Sequence, residues 1–61
     1  MFMKINLNNR NIYAIKKFIK SIRSDYEMTY DTKYCIDILE NYKKLLKDEN
    51  KEILNILRKE N

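Results

Sequence analysis

Met3-Lys4-Ile5-Asn6-Leu7 alternates apolar and polar residues near the start of a chain of 61 residues. Alternation with a period of two is typical of a half-buried β-strand. The hydrophobic spacing becomes helical directly after Leu7, so this segment has no second strand in its own chain to pair with. Because an unpaired strand exposes a row of backbone donors and acceptors, we expect it to pair with the same strand of a second copy.

Two amphipathic helices are predicted after this strand. Asn8 is a suitable N-cap for a first helix over residues 9–23, whose apolar residues recur at steps of three and four. These are Ile12, Ile15, Phe18, Ile19 and Ile22. A second helix over residues 30–47 is predicted to begin after a cap at Thr29, with Asp31 as the alternative cap. Its predicted inward residues are Tyr34, Cys35, Ile38, Leu39, Tyr42, Leu45 and Leu46.

Cys35 and Ile36 are neighbours with different expected environments. Cys35 belongs to the predicted inward stripe, so we interpret it as a small buried apolar residue rather than a reactive thiol. Ile36 falls outside that stripe and would face a second subunit.

The last fourteen residues are predicted to form a C-terminal helical extension over 48–61, following a domain over 1–47. Asp48-Glu49-Asn50 interrupts the apolar pattern, which Ile53, Leu54, Ile56 and Leu57 then resume. Either Asp48 caps a short third helix, or the second helix continues through a polar patch. This composition is not typical of a disordered tail, so we expect these apolar residues to be buried against something.

Charge is distributed unevenly along the chain. The formal net charge is +4, but residues 1–23 contain six bases and no acid, whereas the remainder contains seven bases and nine acids. The bases of the first segment are Lys4, Arg10, Lys16, Lys17, Lys20 and Arg23. A positive field over the strand and first helix indicates a polyanionic partner, with an ordinary solvated helix face as the plainer interpretation.

Composition argues against catalysis and against cofactors. The chain has no glycine and no histidine, which excludes a P-loop, a dinucleotide-binding fingerprint and a nucleophile elbow. Its single cysteine allows neither an internal disulfide nor a zinc site by itself. So short a chain is marginally stable alone, which favours a homodimer. No secretory signal or membrane-spanning segment is apparent, so we expect a cytoplasmic protein.

The predicted elements follow the order strand, helix, loop, helix. The residues that carry this pattern are the strand Lys4-Ile5-Asn6-Leu7, the cap Asn8, the stripe Ile12, Ile15, Phe18 and Ile22, and the segment Ile38-Leu39-Glu40-Asn41-Tyr42-Lys43-Lys44. Over residues 2–44 the chain resembles the ribbon-helix-helix superfamily of dimeric DNA-binding repressors, of the Arc and CopG types. The resemblance implies a mostly α fold in which two N-terminal strands pair across a homodimer and enter the major groove.

The resemblance also implies residue roles. Phe2, Lys4 and Asn6 would face outward on the ribbon and read bases, while backbone donors at Thr29 and Tyr30 would bind a DNA phosphate. The dimer core would comprise Met3, Ile5, Leu7, Ile15, Phe18, Ile22, Cys35, Ile38, Leu39 and Tyr42.

Two functional hypotheses follow from the sequence. The first is a sequence-specific double-stranded DNA-binding repressor of plasmid, phage or antitoxin type, in which Ile53, Leu54, Ile56 and Leu57 would bind a toxin or another protein. The second is a small helical protein-interaction module, such as a phage-encoded inhibitor of a host protein. Salt-dependent binding to duplex DNA distinguishes them, because a protein bound to phosphates releases counterions.

Overall fold

A computed structural model describes residues 2–59, which form two long helices joined by a short turn. Helix α1 spans Phe2–Asp25 and helix α2 spans Tyr30–Lys59. The described part of the chain contains no strand. The predicted ribbon-helix-helix fold is therefore wrong, although the prediction of a mostly α protein is correct. The segment Met3–Leu7 lies in the first turns of α1, and Asn8 lies inside that helix instead of capping it.

The two helices pack against each other as an antiparallel hairpin. The hairpin measures 49 × 16 × 10 Å, and its radius of gyration of 14.6 Å exceeds the value of about 10.5 Å expected for a compact chain of this length. Since one helix with its side chains is about 10 Å thick, the molecule is a single layer of two helices. Both broad sides of this layer are therefore open to solvent or to a partner.

A heptad pattern decides which residues of α1 face α2. The inward positions alternate in steps of three and four, as in a coiled coil. They are Ile5, Asn8, Ile12, Ile15, Ile19 and Ile22, and each is buried or half-buried. Asn8 is the only polar residue among them. The alternation in Met3–Leu7 that suggested a strand thus overlaps the start of a helical stripe.

The same heptad pattern runs along α2. Its inward positions are Thr32, Ile36, Leu39, Lys43, Leu46, Asn50, Ile53 and Leu57, and each is buried or half-buried. Because three of these residues are polar, this stripe is less apolar than the one we predicted. The prediction for Ile36 is wrong: this side chain is only 4 % exposed and packs inside the hairpin itself.

The apolar core lies near the turn. Ile19, Ile22 and Ile36 form its buried cluster, with Ile15 and Leu39 packed against them. A separate buried leucine, Leu46, lies further along α2. Apart from these, most large apolar side chains of the described residues remain exposed, so the core of the isolated hairpin is small.

The turn between the helices is defined by backbone and side-chain hydrogen bonds. The Tyr26 amide donates to the Ile22 carbonyl at 3.0 Å, which continues the last turn of α1. The Thr29 hydroxyl accepts a hydrogen bond from the Thr32 amide at 3.3 Å, as an N-cap side chain does. The prediction that Thr29 caps the second helix is confirmed.

The C-terminal segment continues α2 without interruption to Lys59. Of the two alternatives for this segment, the continuous helix is the correct one, and the boundary proposed at residues 47 and 48 falls inside it. Ile53 and Leu57 are half-buried at inward positions, whereas Leu54 and Ile56 are 39 % and 45 % exposed. Residues 60 and 61 of the predicted extension lie outside the described part of the chain.

Candidate nucleic-acid interface

Basic side chains from both helices line a groove on one broad side of the hairpin. We call it the basic groove, and its lining residues are Lys16, Ile19, Lys20, Arg23, Ser24, Glu40 and Lys43. In α1 the three bases follow one another at steps of four and three, immediately beside the inward stripe. This spacing places them on a single side of a helix, over about 10 Å of its length. The antiparallel pairing adds Lys43 from α2.

Glu40 is the single acid among the residues that line this groove. The Lys43 ammonium donates to the Glu40 carboxylate, with Nζ and Oε2 3.0 Å apart. This hydrogen bond is the main cause of a lowered pKa for Glu40, which partial burial opposes and the charges of Lys43, Arg23 and Lys47 assist. The Lys43 ammonium and the neighbouring bases thus stabilise the carboxylate form of Glu40.

The opposite broad side of the hairpin carries a different surface, which we call the apolar face. It comprises Leu7, Asn11, Ala14, Phe18 and Ser21 of α1 and Cys35, Ile38, Tyr42 and Leu45 of α2. None of these residues carries a formal charge. Phe18 is 58 % exposed and Ile38 and Tyr42 are each 50 % exposed, so large apolar side chains face outward here.

A buried polar cluster lies far from the turn, and we call it the Asn8 cluster. Asn8 is 1 % exposed, and its Nδ2 donates to Glu49 Oε1 at 2.8 Å and to Asn50 Oδ1 at 2.9 Å. Asn50 in turn donates from Nδ2 to Asn9 Oδ1 at 3.0 Å. A polar residue at an inward heptad position fixes the register of paired helices, because any shift would leave it without a partner. Sequence reasoning missed this role.

The predicted base-reading residues are all exposed on α1. Phe2 is 66 % exposed, and Asn6 lines a shallow groove with Lys4. Lys4 Nζ lies 3.7 Å from Glu49 Oε1, and both side chains are partly exposed, so this ion pair adds little stability. The ribbon on which these residues were expected to read bases does not form in residues 2–59.

The predicted phosphate-binding residues stand at the start of α2, where Thr29 is the cap and Tyr30 is 94 % exposed. The acid Asp31 occupies the same first turn. The groove lined by Thr29 and Tyr30 shares no residue with the basic groove. The structure therefore does not bring the predicted phosphate site together with the main group of bases.

The predicted dimer-core residues separate into two sets. The hairpin buries or half-buries Ile5, Ile15, Ile22 and Leu39 between its own helices. By contrast, Met3, Leu7, Phe18, Cys35, Ile38 and Tyr42 are exposed. The interpretation of Cys35 as a buried residue is wrong, since its thiol lies on the apolar face. The exposed set still offers a surface for a partner.

Neither helix is both long and apolar enough to span a membrane over the described residues. Within residues 2–59 no group of three or more potential metal-binding side chains lies together. A comparison of the chain with protein-family models, curated proteins and solved structures found no match.

Proposed function

We propose that this protein binds double-stranded DNA through the basic groove, as a helical surface that contacts the phosphate backbone. The observation that carries the proposal is the convergence of Lys16, Lys20 and Arg23 from α1 with Lys43 from α2. In this proposal the protein acts in the cytoplasm and needs no cofactor. A regulatory role, such as repression, would follow from occupancy of the DNA.

The physical basis is the charge density of the duplex. Double-stranded DNA carries one negative charge per about 1.7 Å of its axis, so the 10 Å span of the basic groove faces several phosphates. Side chains held on a helix at fixed spacing lose less freedom on binding than those of a flexible tail. Since phosphates carry no sequence information directly, the groove accounts for affinity and orientation rather than for the choice of sequence.

Titration of the wild-type protein with a random duplex at several salt concentrations tests the proposal. We expect affinity to fall as salt rises, and each of Lys20→Gln and Arg23→Gln to reduce the magnitude of the logarithmic salt slope by about 0.9. Lys4→Gln is the matched control, because Lys4 lies outside the basic groove, beside Leu7 of the apolar face. Absence of binding at low salt would refute the proposal, as would an equal loss in the Lys4 variant.

The apolar face supports a second candidate function, that of a protein-interaction module. Exposed Phe18, Ile38 and Tyr42 on one side of a hairpin are typical of a surface that another protein covers. This role is compatible with DNA binding, because the two surfaces lie on opposite sides of the layer. If the protein bound no duplex DNA but bound another protein through the apolar face, it would be an interaction module alone.

A further inference from the structure

The accessible surface area of the hairpin is larger than expected for a compact protein of its mass. The chain has a mass of 7.5 kDa and exposes 5377 Å². A compact monomer of that mass exposes about 4,250 Å², so the hairpin exposes roughly 1,100 Å² more. A stable protein–protein interface buries about 800 Å² on each partner. The excess is thus large enough for one such interface.

The apolar face is the part of this surface best suited to burial. Two adjoining grooves run along it, one lined by Ala14, Ile38 and Tyr42 and the other by Phe18 and Cys35 among others. Among the described residues, charged side chains border this face towards its two ends, where the Lys4–Glu49 pair lies near the chain termini and Asp25 near the turn. An apolar centre with a polar rim is the usual anatomy of an interface between proteins.

We infer that a second copy of this chain covers the apolar face, so that two hairpins stack face to face as a four-helix bundle. Two identical copies match each other through the same patch when a two-fold axis relates them. Such a dimer completes the core that the single layer lacks and leaves the basic groove of each copy on the outside.

Sedimentation of the wild-type protein between about 1 and 100 μM, without DNA, tests this inference. We expect twice the chain mass, and a melting temperature that rises with protein concentration by mass action. Ala14→Glu and Ile38→Glu, one on each helix, should each weaken the dimer by roughly a hundredfold, because each interface would then bury two carboxylates against apolar groups. Both positions are exposed in the hairpin, so neither substitution alters its interior.

Tyr30→Glu is the matched control, since Tyr30 is 94 % exposed at the turn and lies outside the apolar face. It should leave the dimer unchanged. The inference would be overturned if the wild-type protein were monomeric and its melting temperature did not depend on concentration. The apolar face would then be a binding surface for a different protein. A dimer that survives both Ala14→Glu and Ile38→Glu would also overturn it, because the interface would then lie elsewhere.

Discussion

Replacing Asn8 with alanine removes the centre of the Asn8 cluster. The substitution eliminates the hydrogen bonds from Asn8 Nδ2 to Glu49 and Asn50. It also removes Asn8 Oδ1, a buried oxygen that accepts no hydrogen bond. Loss of the two hydrogen bonds lowers stability. Removal of the unpaired oxygen and the higher helix propensity of alanine both raise it.

Each contribution has a typical magnitude. A hydrogen bond to a charged carboxylate contributes about 1.5–3 kcal/mol and one between neutral groups about 1 kcal/mol, whereas relief of an unsatisfied buried acceptor returns about 1 kcal/mol. The change from asparagine to alanine in a helix returns a further ~0.6 kcal/mol. We expect Asn8→Ala to lower the free energy of unfolding by about 1–2 kcal/mol.

Urea denaturation followed by circular dichroism, at one fixed protein concentration, measures this change. Asn6→Ala is the matched control, because Asn6 is exposed on the same helix and reports the propensity gain alone. Asn6→Ala should therefore leave stability unchanged or slightly raised. If Asn8→Ala and Asn6→Ala shifted the midpoint alike, the hydrogen bonds of the Asn8 cluster would contribute nothing to stability, and this cluster would not fix the register of the two helices.

Four further predictions concern the basic groove, the turn and the C-terminal segment. Glu40→Gln should raise affinity for a random duplex several-fold, because it removes the acid of the basic groove. Filter-binding titration measures this change. An unchanged or weaker complex would show that the groove does not contact phosphate. The pKa of Glu40 in the folded protein lies below the ordinary value of 4.5, so the ionised carboxylate stabilises the fold above that pH. The difference in free energy of unfolding between the wild type and Glu40→Gln should therefore shrink as pH falls through the folded pKa. Thr29→Ala should lower the free energy of unfolding by about 1 kcal/mol through loss of the cap, measured against Thr29→Ser, which retains the hydroxyl. Deletion of residues 48–61 should strongly reduce helicity measured by circular dichroism, since it removes Glu49 and Asn50; an unaffected fold would identify the segment as an independent arm.

The sequence was sufficient to predict the helical stripe of α1 and the start of α2. The stripe of α1 from Ile12 to Ile22 and the cap at Thr29 were predictable, because apolar spacing and capping chemistry are local signals. The N-terminal strand was predicted wrongly, because alternation over five residues also fits the first turns of a helix. In that range Asn8 occupies an inward position, and its polarity conceals the heptad that links Ile5 to Ile12.

The same physical cause explains the errors in α2. Lys43 and Asn50 are polar residues at inward positions, so the most apolar spacing in the sequence passes instead through Ile38 and Tyr42, which the structure exposes. Only the part of the basic groove that α1 supplies could be predicted. The bases of α1 are visibly clustered in the sequence, whereas the contribution of Lys43 requires knowledge of how α2 pairs with α1. The unbroken heptad spacing from Thr32 onward is the signal that could have revealed it.

The separation between the apolar core and the Asn8 cluster has a consequence for folding kinetics. Ile22 and Asn8 are fourteen residues apart in α1, a distance of about 21 Å along the helix. Contacts near the turn close a short loop, whereas those of Asn8 close a loop of more than forty residues at a higher entropic cost. The helices should therefore join first at the turn and zip towards the termini, with the Asn8 cluster forming last. Amide hydrogen exchange in the native state would then be slowest around Ile22 and would accelerate towards the termini.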